Sequence, residues 1–176
     1  MDCPSDCEYL QEARKREPPA EVDPAIMGHP DILVTKEFLE SNGMLLLAMS
    51  MIMIDEASER RAVDSDVREA LAGLIQTYKT LRKGVIYESL PENPLAASVF
   101  RAIQETVDAY LHEETKRMGM TKTRDLDVLR LLVFFERMAL DTTNGRPRCR
   151  AFLDALRMFQ PPTQPAANAA PSLILP

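Results

Sequence analysis

Three arginines on alternate residues, Arg146, Arg148 and Arg150, give the sharpest chemical signal in this chain. They fall where a helix is expected to open, at Pro147. Backbone N–H groups at a helix start attract anions, whereas cationic side chains oppose the positive dipole end. The cluster therefore needs an acid nearby. The three candidates are a carboxylate of the same chain, an acidic protein partner or anion, and nucleic-acid phosphate. The preceding helix, the turn Thr142-Thr143-Asn144-Gly145 and the helix after it have the outline of a helix-turn-helix. Asp154 on the exposed face argues against base readout, as does the lack of Asn or Gln before Gln160.

Other groupings carry less chemistry. Glu105, Asp108 and His112 share roughly one helix face and are the weak metal candidates. Carboxylate-bridged metal bundles use Glu-x-x-His motifs from two helices; this chain has no such motif and one histidine in its core, so no metal and no cofactor is expected. Cys3 and Cys7 offer two ligands where zinc needs about four. Asp55, Glu56 and Glu59 are followed at once by Arg60 and Arg61, which suits a salt-bridged helix end better than an acid–base pair. Met44, Met49, Met51 and Met53 suit either a core or an adaptable groove, and core filling is the simpler reading. No G-x-G-x-x-G, Walker loop or nucleophile elbow is present.

The connector Gly84–Pro94 (GVIYESLPENP) holds the loop candidates Tyr87, Glu88 and Asn93. Loops set on a rigid scaffold often carry function. The simpler expectation is an ordered crossover, with Tyr87 packed inward and Asn93 capping a helix whose first residue is Pro94.

Prolines and charge outline the domain that must position these residues. Ten of the thirteen prolines fall before Asp31 or after Gln160. Residues 1–30 carry seven acids against Arg14, Lys15 and Arg16, and residues 161–176 carry no charge. The reading is an acidic flexible N-terminal tail over 1–30, a helical domain over 31–160 and a Pro/Ala-rich flexible tail over 161–176. Ser5-x-x-Glu8 could cap a short helix in the first tail, and the apolar tip Pro171–Pro176 could dock as a peptide. The domain itself has a net charge near −2, which disfavours wholesale nucleic-acid binding. Three cysteines make no disulfide framework. The first thirty residues contain no apolar signal segment. The apolar run 43–54 is too short to span a bilayer. Together these features predict a soluble cytoplasmic protein.

Hydrophobic spacing predicts five or six helices. The first begins after Pro30 or at a Thr35 cap and stops at Asn42-Gly43. A second runs from about Met44 to Arg60. A third is capped by Asp66 with Glu69 as its partner, carries a stripe from Val67 to Leu81 and stops at Gly84. A fourth spans Pro94–Met118 and ends at Gly119. A fifth, capped by Thr123 or Asp125, runs to Asp141, and the last opens at Pro147 and closes at Pro161-Pro162. Residues 43–54 and 126–140 are apolar on most sides. They should form a central pair that receives the stripes of the other helices.

The expected fold is an all-α bundle. Its leading function is a protein–protein interaction module or regulator without catalysis. It would act on a protein partner, or on itself as a homodimer through surplus apolar surface on the central helices. One alternative is a nucleic-acid-binding regulator using Arg146–Arg150. The other is an enzyme whose site is gathered from several helices.

Overall fold

The computed structural model describes residues 29–143, 145–146 and 148–160. The Ser5 capping box, the Cys3/Cys7 pair, the Pro171–Pro176 tip and the closing Pro161-Pro162 lie outside the described residues. Within them the chain is all α-helical, in the order α1 Lys36–Ser41, α2 Gly43–Arg60, α3 Asp64–Leu81, α4 Pro94–Met118, α5 Asp125–Thr142 and α6 Ala151–Leu156. A 3-10 turn over Arg157–Phe159 follows.

Local chemistry sets most boundaries as expected. Thr35 caps α1 by accepting the Phe38 N–H at 3.2 Å. Asn42 closes α1, its amide donating to Phe38 O at 2.9 Å, and α2 starts at the next residue. Asn93 caps α4 by accepting the Leu95 N–H at 3.0 Å, and Gly119, at φ 73°, ends it in the left-handed conformation that glycine tolerates best.

Two starts differ from expectation in their caps. Asp66 is not the cap of α3; it sits one turn inside, and its carboxylate accepts the N–H of Val63 at 2.9 Å. Asp127 does the same for Arg124 at 3.0 Å, so neither Thr123 nor Asp125 caps α5. In both cases the reciprocal acid of the first turn satisfies the entering N–H, and the cap position itself needs no polar side chain. Thr123 instead receives Glu114 of α4, which accepts the Lys122 and Thr123 N–H groups at 3.0 and 2.9 Å.

The helices do not pack as a central apolar pair. α3 lies against both α4 and α5, and α4 lies against both α3 and α2, so the two amphipathic helices separate the two apolar ones. α6 then closes the bundle against α2, α3 and α5. Even so, no residue from Leu126 to Leu140 is exposed. The physical reason for the rearrangement is the connector. It runs back along α3 and delivers α4 beside the start of α3: Asn93 Nδ2 donates to Asp66 Oδ1 at 2.8 Å. Further along, Tyr78 of α3 feels the charge of Asp108 of α4. Each lies about fourteen residues from its helix start, so α3 and α4 are parallel. A bundle with one long crossover of this kind places sequential helices side by side in the same direction.

Burial follows the same plan. Phe100, Phe135, Phe152, Leu45, Met49, Met53 and Leu71 are among the largest fully buried side chains. Met49 and Met53 therefore fill core, while Met44 and Met51 face out. Ahead of α1, Arg137 of α5 holds the entering chain by donating from Nη2 to His29 O at 2.8 Å and Ile32 O at 2.9 Å. Ile32 is buried beneath that clamp.

Candidate functional site

The last turn of α3 tightens before it turns. Lys83 N–H donates to Thr80 O at 2.9 Å and Gly84 N–H to Leu81 O at 2.9 Å; Gly84 then adopts φ 77°. From here the chain doubles back in extended form. Val85 N–H donates to Thr80 O at 3.0 Å. Thr80 Oγ1 donates within the helix to Thr77 O at 2.8 Å and lies 3.3 Å from Tyr87 O, and Ser89 N–H donates to Thr77 Oγ1 at 2.9 Å. The Thr80 carbonyl and the Thr77 hydroxyl thus strap the connector to the helix.

Gly73 completes the strap. A Cβ built there would lie 2.5 Å from Ser89 O and 3.3 Å from the Phe100 ring. Only glycine lets the connector backbone lie this close to the helix. With the backbone turned inward, the side chains turn outward. Ile86 is 94% exposed, Tyr87 62% and Val85 53%, with Leu81 and Leu90 also exposed beside them. Tyr87 is therefore not packed inward: its carbonyl, not its ring, meets α3. Arg82 and Lys83 border the same surface, are exposed and form no ion pair among the described residues. Glu88 is exposed further along. Asn93 belongs to the scaffold, since its two ends bridge the starts of α3 and α4. The arrangement offers an apolar tip with a cationic border, held rigidly.

The arginine cluster is arranged otherwise than its spacing suggests. α6 begins at Ala151, not at Pro147, so Arg146 and Arg148 precede the helix and only Arg150 stands at its cap. The helix-start amides are already taken. Phe152 N–H donates to Asp64 Oδ2 at 3.0 Å and Leu153 N–H to Asp64 Oδ1 at 3.2 Å. Asp64 is 2% exposed, and its own N–H donates to Cys149 O at 2.9 Å. A carboxylate of the same chain thus occupies the first amides of this helix. Burial pushes the Asp64 carboxyl up from its ordinary range; the Phe152 amide, the Cys149 thiol and the Leu153 amide pull the other way, and Asp154 adds to the rise. Cys149 is a buried thiol outside any disulfide.

Glu105, Asp108 and His112 are exposed on α4. Among the described residues no group of three or more His, Cys, Asp or Glu is placed to hold a metal ion. Glu56 lies under Ser98 and Arg60 and is held below the usual carboxylate range, chiefly by the Ser98 hydrogen bond. That matches the expected salt-bridged helix end. A cleft of about 360 Å³ between α3 and α5 is lined by Ser65, Arg68, Glu69, Ala72, Glu136 and Leu140. Neither the connector nor the Glu105–His112 face contributes to it.

Two constellations escaped the sequence reading. One is the Asp64–Cys149 latch. The other is His29, whose Nδ1 meets Lys79 Nζ and whose Nε2 lies 3.4 Å from Glu136 Oε2. An ammonium can only donate, so Nδ1 is the acceptor of the Lys79 contact, while Glu136 Oε2 is buried without a hydrogen-bond partner among the described residues. These partners lie 50 and about 107 residues from His29 in the chain, beyond any local spacing rule. The exposed threonine-strapped connector did leave a local trace, the pair Thr77 and Thr80 on the side of Gly73.

No helix among the described residues is long and apolar enough to cross a membrane. Comparison of the chain with protein-family models, with curated proteins and with solved structures gives no match.

Proposed function

We propose that this protein is an interaction module or regulator, and that its contact surface is the Leu81–Leu90 region. The observation that carries this reading is Ile86, an aliphatic side chain 94% exposed between exposed Val85 and Tyr87. Contiguous apolar exposure of this kind marks contact sites more often than scattered single residues do. Preorganisation supports it as well. The connector backbone is strapped by Thr77 and Thr80, so little loop entropy remains to be lost on association.

The partner is a protein, or a second copy of this chain. Of the two apolar helices, α5 exposes nothing over its middle while α2 exposes Met44 and Met51, so surplus apolar surface for a homodimer lies on the connector and on α2. A photo-crosslinking residue at position 86 tests the reading, with the exposed Met158 as the control position. Expected is a discrete crosslinked protein from position 86 that position 158 does not give. Equal, diffuse labelling from both positions contradicts it. The mass of the product separates a foreign partner from a second copy.

A further inference from the structure

His29, where the described chain begins, and the apolar connector both lie near the C-terminal end of α3. Residues 1–28 carry seven Asp and Glu against three bases. Their point of entry into the bundle is fixed by Arg137, which holds His29 O, and by Lys79, which meets the His29 ring. Arg82 and Lys83 lie three and four residues beyond Lys79, Arg82 at the C-cap of α3 and Lys83 in the turn that follows. Val85, Ile86 and Tyr87 follow directly. A helix C-terminus favours cations on its own account, which explains the charge of this end but not its exposed apolar residues.

We propose that the acidic stretch 2–23 of the same chain covers the Arg82–Tyr87 face and competes there with the partner. This rests on the interaction reading above. Charge complementarity favours it: a segment of net −4 leaves the fold at His29, which meets Lys79 and lies 3.4 Å from Glu136, and the exposed Arg82 and Lys83 follow Lys79 in the chain. Reach permits it, since the five residues between Asp23 and His29 extend to roughly 17 Å, while Lys79 to Lys83 spans only about 6 Å of helix. Tethering at this range gives an effective concentration in the millimolar region, so even weak contacts hold the face covered for much of the time. The partner then binds only the uncovered fraction, and its apparent affinity falls in proportion.

The test uses the full chain, mixed from isotopically heavy and light copies and treated with a zero-length carbodiimide that joins carboxylates to amines. Expected are links from residues 2–23 to Lys79 or Lys83 within one copy. They should be several-fold more abundant than links to Lys36, Lys116 or Lys122 and should weaken at high salt. Links spread evenly over the lysines, or no links, overturn the proposal; links joining heavy to light copies overturn it in favour of a second copy. In parallel, converting the seven acids to their amides should raise partner retention about threefold or more, and unchanged retention overturns the competition. Should position 86 trap no partner, the interaction reading fails, while the lysine links still decide the coverage.

Discussion

At the residue scale, Asp64 shows how one acid replaces a missing cap. α6 has six residues, too few for its own turns to stabilise it in water. Its first amides are satisfied from α3, 88 and 89 residues earlier in the chain. Because burial dominates, the folded state raises the Asp64 pKa above the unfolded value. Protonation is then favoured by folding: the group's contribution to stability is full in acid and is lost as pH rises through the folded pKa. An Asp64→Asn variant cannot titrate there. Urea unfolding of both proteins should show the wild type gaining stability relative to Asp64→Asn as pH falls from neutral through the carboxylate range. A wild-type advantage that shrinks on acidification would mean that the hydrogen bonds outweigh burial.

At the element scale, the connector decides the topology. Gly73→Ala gains roughly 1 kcal/mol of helix propensity, but its Cβ would meet a backbone oxygen at 2.5 Å. Backbone displacement in a packed region costs about 1–3 kcal/mol, so the strap should loosen. The expected outcome is faster hydrogen exchange at the Ser89 amide with a net loss of stability of up to about 2 kcal/mol. An unchanged Ser89 amide would show that the strap is not what holds the connector. The helices themselves were legible from spacing. Val67 to Tyr78 recur on one stripe, Asn93-Pro94 marks a start, and Gly119 marks a stop. Their neighbours were not legible. Apolar content alone favours pairing α2 with α5. The parallel α3–α4 pair depends instead on Gly73, Thr77 and Thr80 receiving a chain that returns, and a glycine inside a helical stripe does not say what approaches it. The inward backbone of residues 85–89 likewise sends Tyr87 outward, against the ordinary expectation for an aromatic ring. At the start of α6, the orphan amides were readable from the helix rule; that Asp64 fills them required the fold.

At the scale of the whole molecule, the acidic charge lies early in the chain and the exposed apolar surface lies on the connector. The acidic N-terminal residues account for most of the net charge of −6. The bundle clamps their junction at His29 beside the cationic end of α3. Ile86 itself lies outside the core cluster, its side chain in solvent. Ile86→Asp is therefore the most direct measurement of the central claim, that the outward face of the connector is the contact surface. The substitution sits in solvent, and unfolding stability should stay within about 0.5 kcal/mol of wild type. Retention of the partner trapped from position 86 should fall at least about tenfold, the loss expected of a central apolar anchor. Retention equal to wild type, with the fold intact, would contradict the account.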